Sequence, residues 1–243
     1  MKRKSIILSI RKWLEDSWTN TPPTGHNKTI TMAWRWTGCI QRLRNKPVSF
    51  YRGVFHTNLG SIRPPLIAQR ATLNTEMKVN NIHQRTVSSP IQPVGELLDS
   101  LSTTRDRLWP SESWPPMRFD HPLGEGAQGG HGPIRYQVTQ FESGRRVRFR
   151  FTGPPGFCGF HEFQLISKSP EETIIRHVLR MKTTGQALFT WPVIFRPLHD
   201  ALIEDALNKA ARQLGLPAGK SDWSGWVRML RFLLKKKARK TSA

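Results

Sequence analysis

The sequence predicts an α+β fold in which a curved antiparallel sheet wraps around one long helix. Two observations support this prediction. Residues 134–181 contain four segments in which apolar and polar side chains alternate, which is typical of strands with one covered face. Residues 197–214 then repeat apolar side chains at helical spacing. Because every strand keeps one polar face, we expect the helix to cover the other face.

The fold is predicted to open with a strand and a short helix. Residues 79–87 are interpreted as the first strand, and residues 88–90 (Ser-Ser-Pro) as its stop and a helix cap. Apolar side chains within residues 94–101 follow at helical spacing. This helix is expected to be short, because a loop rich in tryptophan and proline follows at residues 105–116.

A glycine-rich segment separates this opening from the main strands. Residues 117–119 are interpreted as a short strand, and residues 124–133 hold five glycines. The glycines lack the spacing of a nucleotide-binding loop. We therefore expect residues 124–133 to form a sharp turn or the flexible rim of a pocket.

The four alternating segments predict which side chains face inward. Gly144 supplies the tight hairpin between the first two strands, and arginines occupy the outward positions of the second. The predicted inward residues are Ile134, Tyr136 and Val138, then Val147, Phe149 and Phe151, then His161, Phe163 and Leu165, and finally Ile175, His177, Leu179 and Met181.

The long helix is predicted to begin near Pro197, since a first helical position needs no amide donor. His199 falls near the middle of its apolar side, whereas Asp200, Glu204 and Asp205 are expected on a solvated face. The apolar side is formed by Leu198, Leu202, Ile203, Ala206, Ala210 and Leu214.

From Met77 to about Leu214 the chain resembles the START-like, or SRPBCC, superfamily of helix-grip proteins, in its polyketide cyclase/dehydrase-like branch. The resemblance implies a cavity for apolar small molecules between sheet and helix, and a cyclisation or dehydration reaction in some members. It implies a fold rather than a particular reaction. The stretches that carry it are Leu108–Pro110, Trp114–Met117, Gly129–Tyr136, Arg145–Phe149, Arg196–Leu202 and Glu204–Leu207.

The formal net charge of +21 is concentrated at the two ends of the chain. Residues 1–76 carry thirteen Lys and Arg against three acidic residues, residues 77–219 seventeen against thirteen, and residues 220–243 eight against one. We therefore predict a basic, mostly disordered extension, a helix-grip domain and a basic amphipathic tail, with these three boundaries. Met77 is a candidate natural start, because the first strand pattern follows it directly.

Several patterns favour a cytoplasmic protein. Cys39 and Cys158 are too few for a disulfide framework and belong to no metal-ligand motif. The apolar run after the basic N-terminus stops at Arg11, short of a secretion signal. No apolar run reaches the ~20 residues of a membrane helix.

The inward face mixes a few polar groups with apolar ones, which is typical of a ligand pocket. Its histidines are suited to acid–base catalysis or to binding a carbonyl or hydroxyl group of a ligand. The alternative is a structural role, in which each histidine hydrogen-bonds a neighbouring backbone group in the core. We expect a closed cavity of at least ~300 Å³. The predicted ligand-binding residues are Tyr136, Phe149, His161, Phe163, His177, Leu179, His199 and Leu202.

A zinc site at His161, His177 and His199 is disfavoured. The three residues come from separate elements, without ligand-pair spacing and without a carboxylate on the same face. The sequence therefore predicts no metal and no cofactor. No serine or cysteine lies in a nucleophile motif, so no catalytic residue is assigned.

The tail pattern is that of a basic amphipathic helix. Its apolar side must cover either the domain or a membrane, and the lysines favour an anionic membrane surface. The predicted membrane contacts are Trp223, Trp226, Lys235, Lys236 and Lys237.

Three functions stay open. The first is binding of a hydrophobic small molecule, lipid- or polyketide-like, by a carrier or sensor. The second is a cofactor-free polyketide cyclase or dehydratase. The third is a peripheral membrane or nucleic-acid binding module that uses the basic ends, for which the sequence indicates only nonspecific, salt-sensitive nucleic-acid binding.

Overall fold

A computed structural model of the chain describes residues 76–241, with side chains as far as residue 234. The expectations for residues 1–75, and those for the side chains of Lys235, Lys236 and Lys237, lie outside this part.

Residues 76–184 form a seven-stranded antiparallel sheet in the order β1-β7-β6-β5-β4-β3-β2. The strands are β1 (Glu76–Val87), β2 (Arg118–Phe119), β3 (Gln128–His131), β4 (Ile134–Glu142), β5 (Arg146–Gly153), β6 (Phe157–Ser169) and β7 (Glu172–Thr184). The helices are α1 (Ile91–Asp99), α2 (Ala187–Thr190), α3 (Arg196–Gln213) and α4 (Gly225–Thr241), and a π-helical turn (Trp191–Phe195) joins α2 to α3.

The curved sheet and the long helix confirm the predicted helix-grip α+β fold. Leu202, Ile203 and Leu207 of α3 belong to the same buried core as Phe149 and Phe163 of the sheet. All thirteen predicted inward side chains of β4 to β7 are buried. Strand alternation therefore identified the core face correctly.

The glycine-rich segment contains a strand that the sequence did not predict. β3 pairs with β2 on one side and with β4 on the other. A Cβ atom at Gly129 would overlap the Arg118 carbonyl, and one at Gly130 would overlap the Ile134 carbonyl. The glycines thus let the backbones of β2, β3 and β4 approach closely. Because glycine has no side chain, this segment lacks the apolar–polar alternation from which a strand is predicted.

The start of α1 differs from the expectation, whereas α3 begins next to Pro197, as predicted. Pro90 occupies the N-cap of α1, no side chain caps this end, and the Ser89 hydroxyl instead donates to the Pro90 carbonyl. The predicted side-chain cap is therefore wrong. α3 begins at Arg196, directly after the π-helical turn, and this turn places additional side chains against the sheet.

The segment predicted as a tail packs on the domain over its first part. Val227, Leu230 and Arg231 of α4 are buried, and the Trp223 indole donates to the carboxylate of Asp205 in α3. Across residues 76–241, none of the helices combines the length and apolarity that crossing a bilayer requires.

Candidate functional site

A cavity lies between the sheet and the C-terminal helices, where the fold was predicted to leave one. The sheet contributes Ile134, Phe151, Phe157, His161, His177 and Leu179. The helices contribute Trp191, Ile194, Phe195, Leu198, His199, Leu202, Ile203 and Leu234. The lining is completed by His131 at the end of β3 and by the loop residues Trp109, Trp114, Pro115, Gly132 and Pro133, so part of the glycine-rich segment does form the rim.

The volume of the cavity is about 100 Å³. This is smaller than expected, because sites for drug-sized ligands begin at about 300 Å³. The aromatic rings from β5, β6 and the π-helical turn fill much of the space, with Phe157 packed edge-on against Trp191 and Phe195. The space is smaller than an apolar cavity of about 150 Å³ that is known to bind benzene, so even a single-ring guest requires the lining side chains to shift.

Five of the eight predicted ligand-binding residues line the cavity, namely His161, His177, Leu179, His199 and Leu202. The other three lie behind its wall. Tyr136, Phe149 and Phe163 are fully buried, and Tyr136 packs edge-on against His161. Alternation predicted their direction correctly but not the depth at which the cavity ends.

The inner histidines form a continuous row. His161 Nδ1 lies 3.3 Å from His177 Nε2, and the ring of His177 lies 5.0 Å from that of His199. Three imidazole nitrogens are buried without a hydrogen-bond partner among residues 76–234, namely His161 Nε2, His177 Nδ1 and His199 Nε2. Because unpaired buried polar atoms are costly, these nitrogens indicate a place for a polar group of a guest or for water.

Burial keeps these imidazoles neutral. It lowers the pKa of His161 and of His177 well below the ordinary value, and the neighbouring histidines lower both further. Burial also lowers the pKa of His199, although the hydrogen bond to Asp200 acts in the opposite direction. A neutral imidazole offers one lone pair and one N–H, so each ring can accept one hydrogen bond and donate another.

The sequence missed His131 as part of this site. It follows the two close-packed glycines of β3 and lines the cavity, with its ring 4.8 Å from that of Trp109. Burial is the main cause that lowers its pKa to about 3. The available signal was a histidine enclosed by glycines in the segment expected to form the pocket rim.

A second polar cluster joins α3 to the edge strand β1, and it corrects a prediction. Asp200 Oδ1 lies 3.2 Å from His83 Nε2 and 3.5 Å from His199 Nδ1, and it accepts a hydrogen bond from the Asn81 amide. Glu204 Oε1 lies 2.8 Å from His83 Nδ1. The expectation that Asp200 points away from His199 is therefore wrong, whereas Glu204 is exposed, as predicted.

The cluster is electrostatically coupled. The hydrogen bond to Asp200 is the main cause that raises the pKa of His83, and Glu204 adds to it against the opposing effect of burial. Burial alone raises the pKa of Asp200, but hydrogen bonds from His199, His83 and Asn81 outweigh it and hold that pKa below its usual value. Asn81, His83 and Arg85 alternate along β1 toward α3, which was the sequence signal that was missed.

Asp205 is also buried rather than solvated. It accepts hydrogen bonds from the indoles of Trp114 and Trp223 and from the Ser221 hydroxyl. The guanidinium of Arg231 lies 3.7 Å from the centre of the Trp223 ring. These contacts hold Trp223 against the domain, which contradicts its predicted role as a membrane contact.

Trp226 and its neighbours remain on the outside. The Trp226 indole donates to the Val193 carbonyl, and both side chains are partly exposed together with Met229 and Leu233. We call Val193, Trp226, Met229 and Leu233 the exposed apolar face. Two phenylalanines are more strongly exposed, Phe189 of α2 at 77% and Phe232 of α4 at 64%.

Three solved structures illustrate what the backbone of this chain is similar to. A protein from Thermobifida fusca is 17% identical, with 58% of this chain and 97% of that chain covered and a TM-score of 0.45. Norcoclaurine synthase from Thalictrum flavum, in complex with dopamine and hydroxybenzaldehyde, is 10% identical, with 70% and 100% covered and a TM-score of 0.45. CalU16 from Micromonospora echinospora is 13% identical, with 67% and 95% covered and a TM-score of 0.41.

No protein-family model and no curated protein matches this chain. At these identities and TM-scores, the similarities to solved structures assign no ligand or reaction to it.

Proposed function

We propose that this protein binds a small hydrophobic molecule, aromatic or otherwise ring-shaped, in the cavity between the sheet and α3, as a carrier or sensor. The main support is a nearly apolar cavity with aromatic walls. Buried imidazole nitrogens at this cavity have no hydrogen-bond partner in the described part of the chain. Apolar walls with a few polar groups are the usual composition of a ligand site. A lipid- or polyketide-like guest longer than one ring requires side chains at the rim to move.

Binding of matched small probes to the full chain tests this proposal. Phenol and toluene are single-ring compounds of similar size, and only phenol can hydrogen-bond to an imidazole. We expect both to bind and phenol to bind more tightly, by about tenfold, because the hydrogen bond satisfies a buried nitrogen. Calorimetric titration or a ligand-observed NMR experiment measures the two affinities.

Two variants connect that binding to the cavity. Leu202→Phe adds volume inside the cavity and is expected to abolish binding of both probes, whereas His161→Phe is expected to remove the preference for phenol. Val193→Ala changes the exposed apolar face and serves as the control. Equal binding by Leu202→Phe and the parent protein would remove the cavity as the site.

A cofactor-free cyclase or dehydratase is the second candidate, favoured by the orientation of His199. Its Nδ1 lies 3.5 Å from the Asp200 carboxylate and its Nε2 is buried, as in a general base held by a carboxylate. When Nδ1 carries the proton, Nε2 is free to accept one from a guest. Deuterium exchange into a small ketone in D₂O tests this role, and it should be lost in His199→Gln and retained in His121→Gln.

We also propose that the exposed apolar face contacts an anionic membrane surface. Supporting this proposal, Val193 and Trp226 touch each other, and Trp191 and Leu234 of the same elements line the cavity. The sequence continues into a basic stretch at residues 235–240, and a basic amphipathic helix combines apolar burial with attraction to anionic lipid. This arrangement would place a membrane beside the cavity that receives an apolar guest.

A further inference from the structure

We propose that His83, His199 and Asp200 form a binding site for a divalent transition-metal ion such as Zn²⁺, supported by Glu204. One ligand atom from each of the three residues lies within 4.8 Å of the other two. Two imidazoles and one carboxylate are a ligand set used by zinc and by other first-row metal ions in proteins. This site goes beyond the proposed binding of an apolar guest and does not depend on it.

The three ligands come from two elements that the fold brings together. His83 lies in the middle of the edge strand β1, and His199 and Asp200 lie in the first turns of α3. Asp200 Oδ1 is the point of convergence, because the nearest nitrogens of both histidines face it. The other oxygen of Asp200 lies 3.7 Å from Arg196 Nε, which leaves Oδ1 for the ion.

Glu204 fixes the tautomer that metal binding requires. A carboxylate can only accept hydrogen bonds, so the 2.8 Å contact from Glu204 Oε1 to His83 Nδ1 places a proton on Nδ1. Arg85 holds the second oxygen of Glu204 at 3.0 Å. In neutral His83 the Nε2 lone pair then faces Asp200 Oδ1 at 3.2 Å, so a metal ion can take the place of the proton that otherwise joins these two atoms. A carboxylate behind a metal-binding histidine is a common supporting contact.

Asn81 is a further polar residue beside the cluster. Its amide nitrogen lies 2.8 Å from Asp200 Oδ1, and its amide oxygen is buried without a partner in the part of the chain described. The oxygen and nitrogen of an amide exchange places by a flip. A flipped Asn81 would present its amide oxygen to the ion as a fourth ligand atom, after the two imidazole nitrogens and Asp200 Oδ1.

The position of the site leaves room for exchange with solvent and for a guest. Asp200 and Glu204 line an open polar groove on the outside of the molecule, with a volume of about 430 Å³, whereas His199 lines the inner cavity. Three protein ligands leave a coordination position open, as in catalytic rather than structural zinc sites. An ion here would lie between solvent and the cavity.

Metal titration of the full chain tests the site. The chain is first dialysed against a chelator, and Co²⁺ is then added while the visible absorption is recorded, followed by Zn²⁺ as a competitor. We expect saturation at one ion per chain and displacement by Zn²⁺. His83→Ala and Asp200→Asn are expected to abolish saturable binding, and Glu204→Gln to weaken it by about 10- to 100-fold.

His121→Ala is the matched control, because His121 forms an exposed contact with Asp120 and should leave metal binding unchanged. Circular dichroism and thermal melts show whether each variant folds, and Asp200→Asn, which keeps the side-chain shape, replaces His83→Ala if the latter does not. Absence of saturable binding in the parent chain would overturn the proposal. So would equal affinity in the parent and in a folded His83→Ala or Asp200→Asn variant, since the ion would then bind elsewhere.

Discussion

Burial determines the charge of the inner histidines, and the charge in turn determines how stability changes with pH. His161 and His177 are held neutral because burial lowers the pKa of each. In the unfolded chain the same side chains titrate near pH 6.5. Below that pH these histidines bind protons in the unfolded state but not in the folded state. The contribution of the two histidines to the free energy of unfolding therefore falls as the pH falls. His83 acts in the opposite sense, because its raised pKa stabilises the fold at low pH and that contribution is lost as the pH rises through it.

Replacing His161 by phenylalanine should reduce this pH dependence. Each neutral buried histidine lowers stability by about 1.4 kcal/mol per pH unit below about pH 6.5. Between about pH 7.5 and pH 5.5 the parent chain should therefore lose about 1.4 kcal/mol more stability than His161→Phe, and the contribution of His83 cancels in this difference. Urea denaturation at both pH values measures it.

His121→Phe is the control for this comparison, because His121 is exposed. Its pH dependence should match that of the parent chain. An equal loss of stability in His161→Phe and the parent would show that His161 is protonated in the folded state, contrary to its position in the site.

The sequence predicted which face of the sheet each strand side chain points to, but it did not predict which residues that side chain contacts. Alternation placed His161, His177 and Leu179 on the inner face, where they line the cavity. The helical wheel placed Asp200 on the side opposite His199, yet β1 lies along that side and supplies His83. A wheel reports angles around one helix, whereas the partner on each side depends on strand order, which alternation does not specify.

At the scale of elements, the attachment of α4 depends on one buried carboxylate. Asp205 receives hydrogen bonds from Trp114 in the loop before β2 and from Trp223 just before α4. Arg231 of α4 lies over both indole rings and donates to the Ser113 carbonyl. Burial lowers the pKa of Arg231, and the charge of Asp205 opposes that shift. The loop, α3 and α4 are thereby joined into one unit.

Asp205→Ala should loosen α4 and destabilise the domain. The change leaves two indole N–H groups without an acceptor, and each unsatisfied buried donor costs about 1–3 kcal/mol. We expect a loss of about 2–5 kcal/mol in the free energy of unfolding and a red shift of tryptophan emission. Asp222→Ala, at an exposed neighbouring position, is the control, and an effect no larger than that of the control would contradict the role of Asp205.

Elements with regular side-chain patterns were predicted, and those built from backbone contacts were not. β4 to β7 and α3 follow apolar periods of two and 3.6 residues. In β3 the small size of Gly129 and Gly130 allows the neighbouring strands β2 and β4 to approach closely, and this leaves no apolar period to detect. The π-helical turn before α3 contains Pro192 and shows no period, although it supplies Trp191 and Ile194 to the cavity.

At the scale of the whole molecule, α4 has two apolar sides with different surroundings. Val227 and Leu230 are buried against the domain, whereas Met229 and Leu233 belong to the exposed apolar face. The sequence alone offered the domain or a membrane as alternatives for one side. Because the tail packs on Asp205 and Trp114, deleting residues 221–243 would also expose part of the core. Point substitutions therefore test membrane contact better than this deletion does.

Met229→Glu and Leu233→Glu should weaken binding to anionic vesicles without unfolding the domain. Each places a negative charge on the proposed contact surface, which removes apolar burial and opposes the attraction of the basic residues. Vesicle flotation at low and physiological salt measures the bound fraction, which we expect to fall several-fold. Ile82→Glu makes the same kind of change at an exposed position on β1, and a comparable loss there would contradict a specific contact through α4.

Native mass spectrometry of the full chain tests the central claim most directly. The protein is purified under mild conditions and measured alone and after incubation with a set of single-ring aromatic compounds. The account predicts a complex with one small guest per chain, present in the parent protein and in Val193→Ala and absent in Leu202→Phe, whose larger side chain occupies the cavity. A parent chain that takes up no guest, or a Leu202→Phe variant that binds as well as the parent, would contradict it.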